Sequence, residues 1–203
     1  MNEVFEAVEA TAKLWEVHLF RNPAPRLRAL DELASTGLDL DGEAVKAFRI
    51  GYAPPDVEGK YSYLGDRLIF PIINEDGDAV AFIGRALAPR PGDAIVPKYV
   101  FSPESAIFQK SRTLFGLWQA KEAIREQGHA VMVEANIDVI KSYDKGIRNM
   151  VAPLGKTFTV EQAKLLARFT KKVTLAYDDD GAGERASREA AKMCRAEGIV
   201  VSG

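Results

Sequence analysis

The sequence predicts an α+β N-terminal subdomain followed by an α/β domain, a parallel sheet flanked by helices. Two observations predict this. From Ala130 onward, short apolar runs alternate with helix-patterned segments, the signature of parallel strands joined by helical crossovers. Before that point, helices come first and strand-like runs with a hairpin signal follow, an order that segregates rather than alternates. The boundaries are set at residues 1–127 and 128–203.

The first helix spans about residues 3–20, where Val4, Val8, Ala12 and Trp15, with Phe5 and Leu19, recur at helical spacing. Asn22-Pro23 breaks it. A second helix runs from about Pro25 to Ala34, with Leu27, Leu30 and Leu33 inward and Arg26, Arg28, Asp31 and Glu32 outward. A short helix follows Asp41 as its cap. Ile50–Pro55 is a rigid extended segment, and residues 56–66 are polar loop. Arg67–Ile73 is a strand in which Pro71 predicts an edge or a bulge. Asn74-Glu75-Asp76-Gly77 is the hairpin turn, and Ala79–Leu87 returns as a strand broken by Gly84. A Pro89-Arg90-Pro91-Gly92 link leads to the short strand Pro97–Phe101. Ser102-Pro103-Glu104 turns the chain, and residues 118–127 are helical up to Gly128.

In the second part, Ala130–Glu134 is a strand ending in an acid, and Ile137–Lys145 a helix. Asn149–Ala152 is a strand, and Thr159 caps a helix through Phe169. Lys172–Tyr177 is a strand, followed by Asp178-Asp179-Asp180, then a helix from Gly183 to Glu197. Ile199-Val200-Val201 begins a further strand, so the sheet is expected to be incomplete in this polypeptide.

The chemistry lies in those acids. In a parallel sheet all carboxyl ends share one edge, where open α/β sheets place ligands. Glu134, Asp178 and Asp180 therefore converge if their strands are neighbours. Three like charges there repel one another unless a cation joins them, and Mg²⁺ prefers carboxylate oxygens. The bland alternative is that each acid caps a helix, which accounts for one Asp more readily than for three.

Composition narrows the classes. With 203 residues, 47% apolar and 28% charged, the chain fits one large or two small folded domains. Cys194 is the lone cysteine, which excludes an internal disulfide and a cysteine-rich zinc site and fits a reducing cytoplasm. The acidic N-terminus lacks the pattern of a signal peptide, and no apolar run approaches membrane-span length. A net charge of −2 argues against a passive nucleic-acid coat.

Val133-Glu134-Ala135-Asn136-Ile137-Asp138-Val139 and Tyr177-Asp178-Asp179-Asp180-Gly181-Ala182-Gly183 resemble the two signatures of the TOPRIM domain, and Ala152-Pro153-Leu154-Gly155 resembles the glycine turn between them. Upstream, five ordered blocks resemble the N-terminal subdomain of the DnaG-type primase polymerase core: Gly51–Pro55, Arg67–Ile72, Phe82–Leu87, Pro97–Tyr99 and Ser102–Leu117. The resemblance covers about residues 25–203. It implies a template-directed RNA polymerase that makes short primers on single-stranded DNA from ribonucleoside triphosphates.

It also implies roles. Glu134, Asp178 and Asp180 would hold Mg²⁺, for which Mn²⁺ can substitute, with Asp138 a supporting acid. Arg67, Arg85, Lys98 and Lys110, with Tyr99, would line the groove for nucleotide and template. Residues 85–112 agree: five basic residues face Asp93 and Glu104, a net +3 in an acidic chain. A lone basic residue is more often a solvated surface charge. Position inside the matched blocks is what favours function here.

Departures from the pattern are Ala135 and Asn136 where Gly and an aromatic are usual, Asp179 where Gly is usual, and Phe101 where Asn is frequent. No Cys/His cluster precedes the core, so a zinc-binding primase module and a replicative helicase are expected in separate domains or chains. Either an excised core or one piece of a split, phage-encoded primase is expected, weak in priming by itself. The competing readings are a TOPRIM nuclease using the same acids, and a non-catalytic TOPRIM subunit of a split replication complex. A topoisomerase lacks room for its breakage domain.

Overall fold

The computed structural model describes residues 2–21, 23–39, 41–87, 96–155 and 157–203, with the side chains of residues 2, 23–26 and 30 outside that set. The expected break at Asn22, the Pro89–Gly92 link and the facing of Arg26 and Leu30 therefore lie outside the described residues. Packing divides the chain into two units, Met1–Ile72 with Asp78–Pro103, and Ile73–Gly77 with Glu104–Gly203.

The first unit holds helices α1 (Asn2–Arg21), α2 (Pro23–Thr36) and α3 (Glu43–Ala47), and strands β1 (Gly51–Ala53), β2 (Arg67–Ile73), β3 (Ala79–Ala86) and β4 (Tyr99–Phe101) in the order β1-β2-β3-β4. Val8, Ala12, Trp15 and Leu19 form the buried stripe of α1. Trp15 meets Phe82 edge-on at 4.8 Å and Tyr61 at 5.6 Å. The helix lies directly on β1: a Cβ at Gly51 would stand 2.7 Å from the Trp15 carbonyl carbon.

Five local expectations change. Leu27 is 65% exposed, while Glu32, expected outward, is buried with Ala29, Leu33 and Thr36. The inward face of α2 is set by an ion pair from Glu32 to Arg85, which an apolar count cannot register. Residues 59–64 form a 3₁₀ turn rather than loop, burying Leu64. The N-cap of α3 is Gly42 rather than Asp41. Strand β3 runs unbroken through Gly84, where the close Leu64, Arg67 and Val100 side chains, 2.7–3.1 Å from an added Cβ, leave room for glycine alone. Pro71 sits in an interior strand, but β1 pairs only with Arg67–Ile69, so no β1 partner is lost to its missing N–H.

The second unit holds β5 (Leu114–Phe115), α4 (Leu117–Gln127), β6 (Ala130–Met132), α5 (Asn136–Asp144), β7 (Met150–Pro153), α6 (Val160–Ala167), β8 (Lys172–Leu175), α7 (Gly181–Ala196) and β9 (Val200–Ser202). The sheet order is β5-β7-β6-β8-β9, with β5 antiparallel to β7 and the other four parallel. Helices α4, α6 and α7 pack Ile124, Leu166 and Cys194 over Met132, Val151 and Val173 to form the core. Thr159 and Gln162 make a reciprocal capping box at the start of α6. Helix α7 begins at Gly181, two residues earlier than its pattern suggested, because Asp180 caps it.

Candidate metal centre

Strands β6 and β8 are parallel neighbours in register Met132↔Leu175, so their carboxyl ends open side by side. The Ala176 amide continues the ladder to the Met132 carbonyl at 2.8 Å. Beyond it, the Asp178 backbone N–H donates to Glu134 Oε1 at 3.1 Å. That bond ties the acid of one strand end to the backbone of the other. Tyr177 lies beneath, its hydroxyl donating to Met132 Sδ at 3.2 Å, and burial pushes its phenol far above the ordinary range. Burial likewise pushes the Cys194 thiol up to about 11, an inert core group.

Asp180 turns toward α7. Its Oδ1 accepts from the Gly183 N–H at 2.7 Å and the Ala182 N–H at 2.8 Å. The Gly183 amide bond, then the Ala182 bond, hold this exposed carboxyl below the usual range. Asp178 and Asp179 are exposed, and Asp138 is half-buried in the first turn of α5, its N–H donating to the Ala135 carbonyl. Among the described residues, no three His, Cys, Asp or Glu side chains stand close enough to hold a metal ion as placed.

What the structure supplies is a cradle. A Cβ at Gly183 would stand 2.1 Å from the Asp178 carbonyl oxygen and 2.8 Å from Glu134 Oε1. Asp180 Oδ1 bonds the same residue. Gly183 is thus the point where all three elements meet, and only hydrogen fits there. The surrounding donors are hard carboxylate and carbonyl oxygens, which suit a divalent cation of the Mg²⁺ kind. Among the described residues, one buried side-chain polar atom is orphaned: the Asn136 amide nitrogen has no hydrogen-bond partner. The sequence contained a signal for Gly183, a glycine inside the first turn of a helix where nothing demands its flexibility.

The basic candidates are divided between the two units. Arg85 is buried, its Nε and Nη2 each 2.6 Å from Glu32 Oε1, and it bonds the Tyr99 hydroxyl while its guanidinium lies 5.3 Å from that ring. Arg67 is buried and donates to the Pro97 carbonyl at 2.8 Å, and loss of water lowers its pKa. Lys98 is exposed. These four belong to the first unit. Lys110 belongs to the second, where its N–H bonds Glu104 and its carbonyl accepts from Gln162 Nε2 at 2.9 Å.

An acid-edged parallel sheet of this topology defines a TOPRIM-type domain, and comparison with known proteins agrees. The Toprim domain family matches residues 128–203, and the family described as the N-terminal domain of the DNA primase catalytic core matches residues 55–121. The DNA primase of Aquifex aeolicus is 42% identical over 135 residues, which is 66% of this chain and 26% of that protein. A solved DNA primase domain from Pseudomonas aeruginosa superposes with a TM-score of 0.82 at 30% identity, covering 98% of this chain and 69% of that one. A DnaG primase catalytic domain solved bound to single-stranded DNA gives 0.80 at 27% identity, covering 95% and 66%.

The chain belongs to the DnaG-type DNA primase family and carries its catalytic-core fold. It spans about a quarter of the length of the curated Aquifex relative. A Toprim domain in such a primase implies divalent-metal binding. No described helix is long and apolar enough to cross a membrane.

Proposed function

We propose that this chain is the catalytic-core portion of a DNA primase, joining ribonucleoside triphosphates into short RNA primers on single-stranded DNA. The observation that carries the proposal is the Gly183 cradle, where Glu134, the Asp178 backbone and Asp180 meet at the strand ends. Glu134, Asp178 and Asp180 would hold Mg²⁺, or Mn²⁺ in its place, which would offset triphosphate charge and make the primer 3′-hydroxyl more acidic. Glu134 and Asp178 are assigned as ligands, Asp180 as the ligand that also fixes the α7 N-terminus, and Asp138 as the supporting acid.

Lys98 and Lys110 are assigned to phosphate attraction as flexible point charges. Arg85 is assigned to holding Tyr99 in place for base stacking, because reaching a phosphate would strand the Glu32 carboxylate. Arg67 fixes the start of β4 through Pro97. A zinc-binding primase module and a replicative helicase complete the reading as partners. The bacterial relatives support action in a bacterial cytoplasm. The match of residues 55–121 to the primase N-terminal domain disfavours the nuclease reading, which gives that segment no role.

The test is primer synthesis by the purified chain with Mg²⁺ or Mn²⁺, ribonucleotides and single-stranded template, alone and with a zinc-binding primase module added. Template-dependent RNA products that vanish in Asp178→Ala are expected. DNA nicking without RNA synthesis would overturn the assignment, as would equal Mn²⁺ binding by wild type and Asp178→Ala.

A further inference from the structure

The edge of the second unit opposite the acids is strongly basic. The chain enters β6, β7 and β8 through residues 125–129, 145–149 and 168–172, and in a parallel arrangement these three entries lie at one edge. They contain Arg125, Lys145, Arg148, Arg168, Lys171 and Lys172 against one acid, Glu126, a net charge of +5 in a chain of net −2. All six basic residues are exposed.

The entries are contiguous in space. Asn149 Nδ2 donates to the His129 carbonyl at 3.1 Å, and Thr170 Oγ1 donates to the Gly128 carbonyl at 2.9 Å. Lys172 is in register with Val200 of β9.

Helix dipoles explain part of this. Arg125 lies in the last turn of α4, and Lys145 and Arg168 are the C-caps of α5 and α6, where positive charge meets free carbonyls. Arg125 also pairs with Glu122, and Arg168 with Glu75. Arg148, whose guanidinium lies 4.5 Å from the Tyr143 ring centre, and Lys171 and Lys172 lie beyond the helices, where no helix dipole calls for positive charge. Beside them the outer sheet face continues as a polar row, Thr174 Oγ1 lying 2.8 Å from both His129 Nε2 and Ser202 Oγ. Clustered exposed cations beside hydroxyls and an imidazole suit a phosphodiester backbone, which asks for charge and hydrogen bonds rather than an apolar centre.

We infer that this basic edge is a second contact for single-stranded nucleic acid, distinct from the acid edge and gripping the backbone without reading bases. The inference rests on the primase reading for the identity of the polyanion. A contact there holds the template on the same domain as the chemistry while leaving the acid edge clear.

The test is fluorescence anisotropy of a labelled 30-nucleotide oligo(dT) with the whole chain at 50–200 mM salt. The variants are Lys171→Ala/Lys172→Ala and, separately, Lys145→Ala/Arg148→Ala, each checked for an unchanged circular dichroism spectrum and unchanged Mn²⁺ binding. Each phosphate contact steepens log K against log salt by about 0.7 for single strands, or about 2.6-fold between 50 and 200 mM. Losing two lysines should therefore reduce the salt-induced loss of affinity about sevenfold, with weaker binding at low salt.

Wild-type affinity and slope in both double variants would overturn the inference and leave primer synthesis, and so the primase reading, standing. Intact binding through this edge without any primer synthesis would fail the primase reading alone. Ile147 and Val200 are exposed beside the patch, so an acidic protein is the rival occupant. Poly-glutamate that binds the wild type, loses affinity in the variants and outcompetes oligo(dT) would overturn the inference in its favour.

Discussion

Gly183→Ala is the sharpest perturbation of the candidate centre, because it adds one methyl and changes no charge. The added Cβ would stand 2.1 Å from the Asp178 carbonyl oxygen, 1.3 Å short of the 3.4 Å at which ordinary contact begins. Backbone, not a flexible side chain, is in the way. The α7 N-terminus must back off by more than 1 Å, loosening the Asp180 cap, and the methyl also presses on Glu134 Oε1 at 2.8 Å. Overpacking of this kind costs about 3 kcal/mol at the upper end of its usual range. Replacing Gly by Ala in a helix returns at most about 1 kcal/mol. A net destabilisation of about 2 kcal/mol follows, with Mn²⁺ affinity falling roughly tenfold or more, as when groups orienting metal ligands are removed. Gly181→Ala is the matched control in the same helix turn, since its Cβ would meet nothing nearer than the Arg185 guanidinium at 3.5 Å. Urea unfolding followed by circular dichroism, together with Mn²⁺ titration, reads both quantities. Equal stability and equal metal affinity in the two variants would refute the cradle.

Two further outcomes are expected. Arg85→Ala leaves the Glu32 carboxylate buried without its partner and should cost roughly 3–5 kcal/mol in urea unfolding, whereas Arg85→Leu with Glu32→Leu should cost much less; equal losses would show that the charge pair is not the issue. Glu9 accepts two bonds from Arg49 at 2.9 and 3.0 Å and one from the Ala79 N–H, and the Arg49 bond leads in holding its pKa below 4.5. A depressed acid contributes stability above its unfolded value and loses it as pH falls through the folded one. The stability difference between wild type and Glu9→Gln, about 1 kcal/mol after allowance for solvent screening, should therefore be flat above about pH 5 and shrink below 4.5; a difference that grows on acidification would contradict the assignment.

Alternation of apolar runs with helical patterns was enough to place β6 through β9 and their helices, because a parallel sheet buries whole short strands and turns its acids to one edge. The neighbour relation of β6 and β8 was legible only as a condition, since strand order is not written in strand spacing. Strand β5 went unseen: two residues, Leu114 and Phe115, carry no periodicity and are strand only because β7 offers a partner. Glu32 was assigned outward because a lone Glu on a helix reads as solvated, and its partner Arg85 lies 53 residues away. In the Asp run, periodicity alone did not assign the cap. The Asp180 bonds to α7 show that one acid can cap a helix and still stand at the candidate site.

Strand β5 also separates two kinds of boundary. The Toprim family match begins at residue 128, yet the sheet takes an edge strand from Leu114–Phe115 and much of its core from Leu117, Ala120 and Ile124. A fragment cut at residue 128 would bare the flank of β7 and strip the helix over Met132 and Val151. Such a piece offers unpaired backbone and a greasy face together, the combination that drives strands to join other molecules. Expression of this half by itself should start before Ser105, because the recurring unit matched across families is here smaller than the unit that packs together.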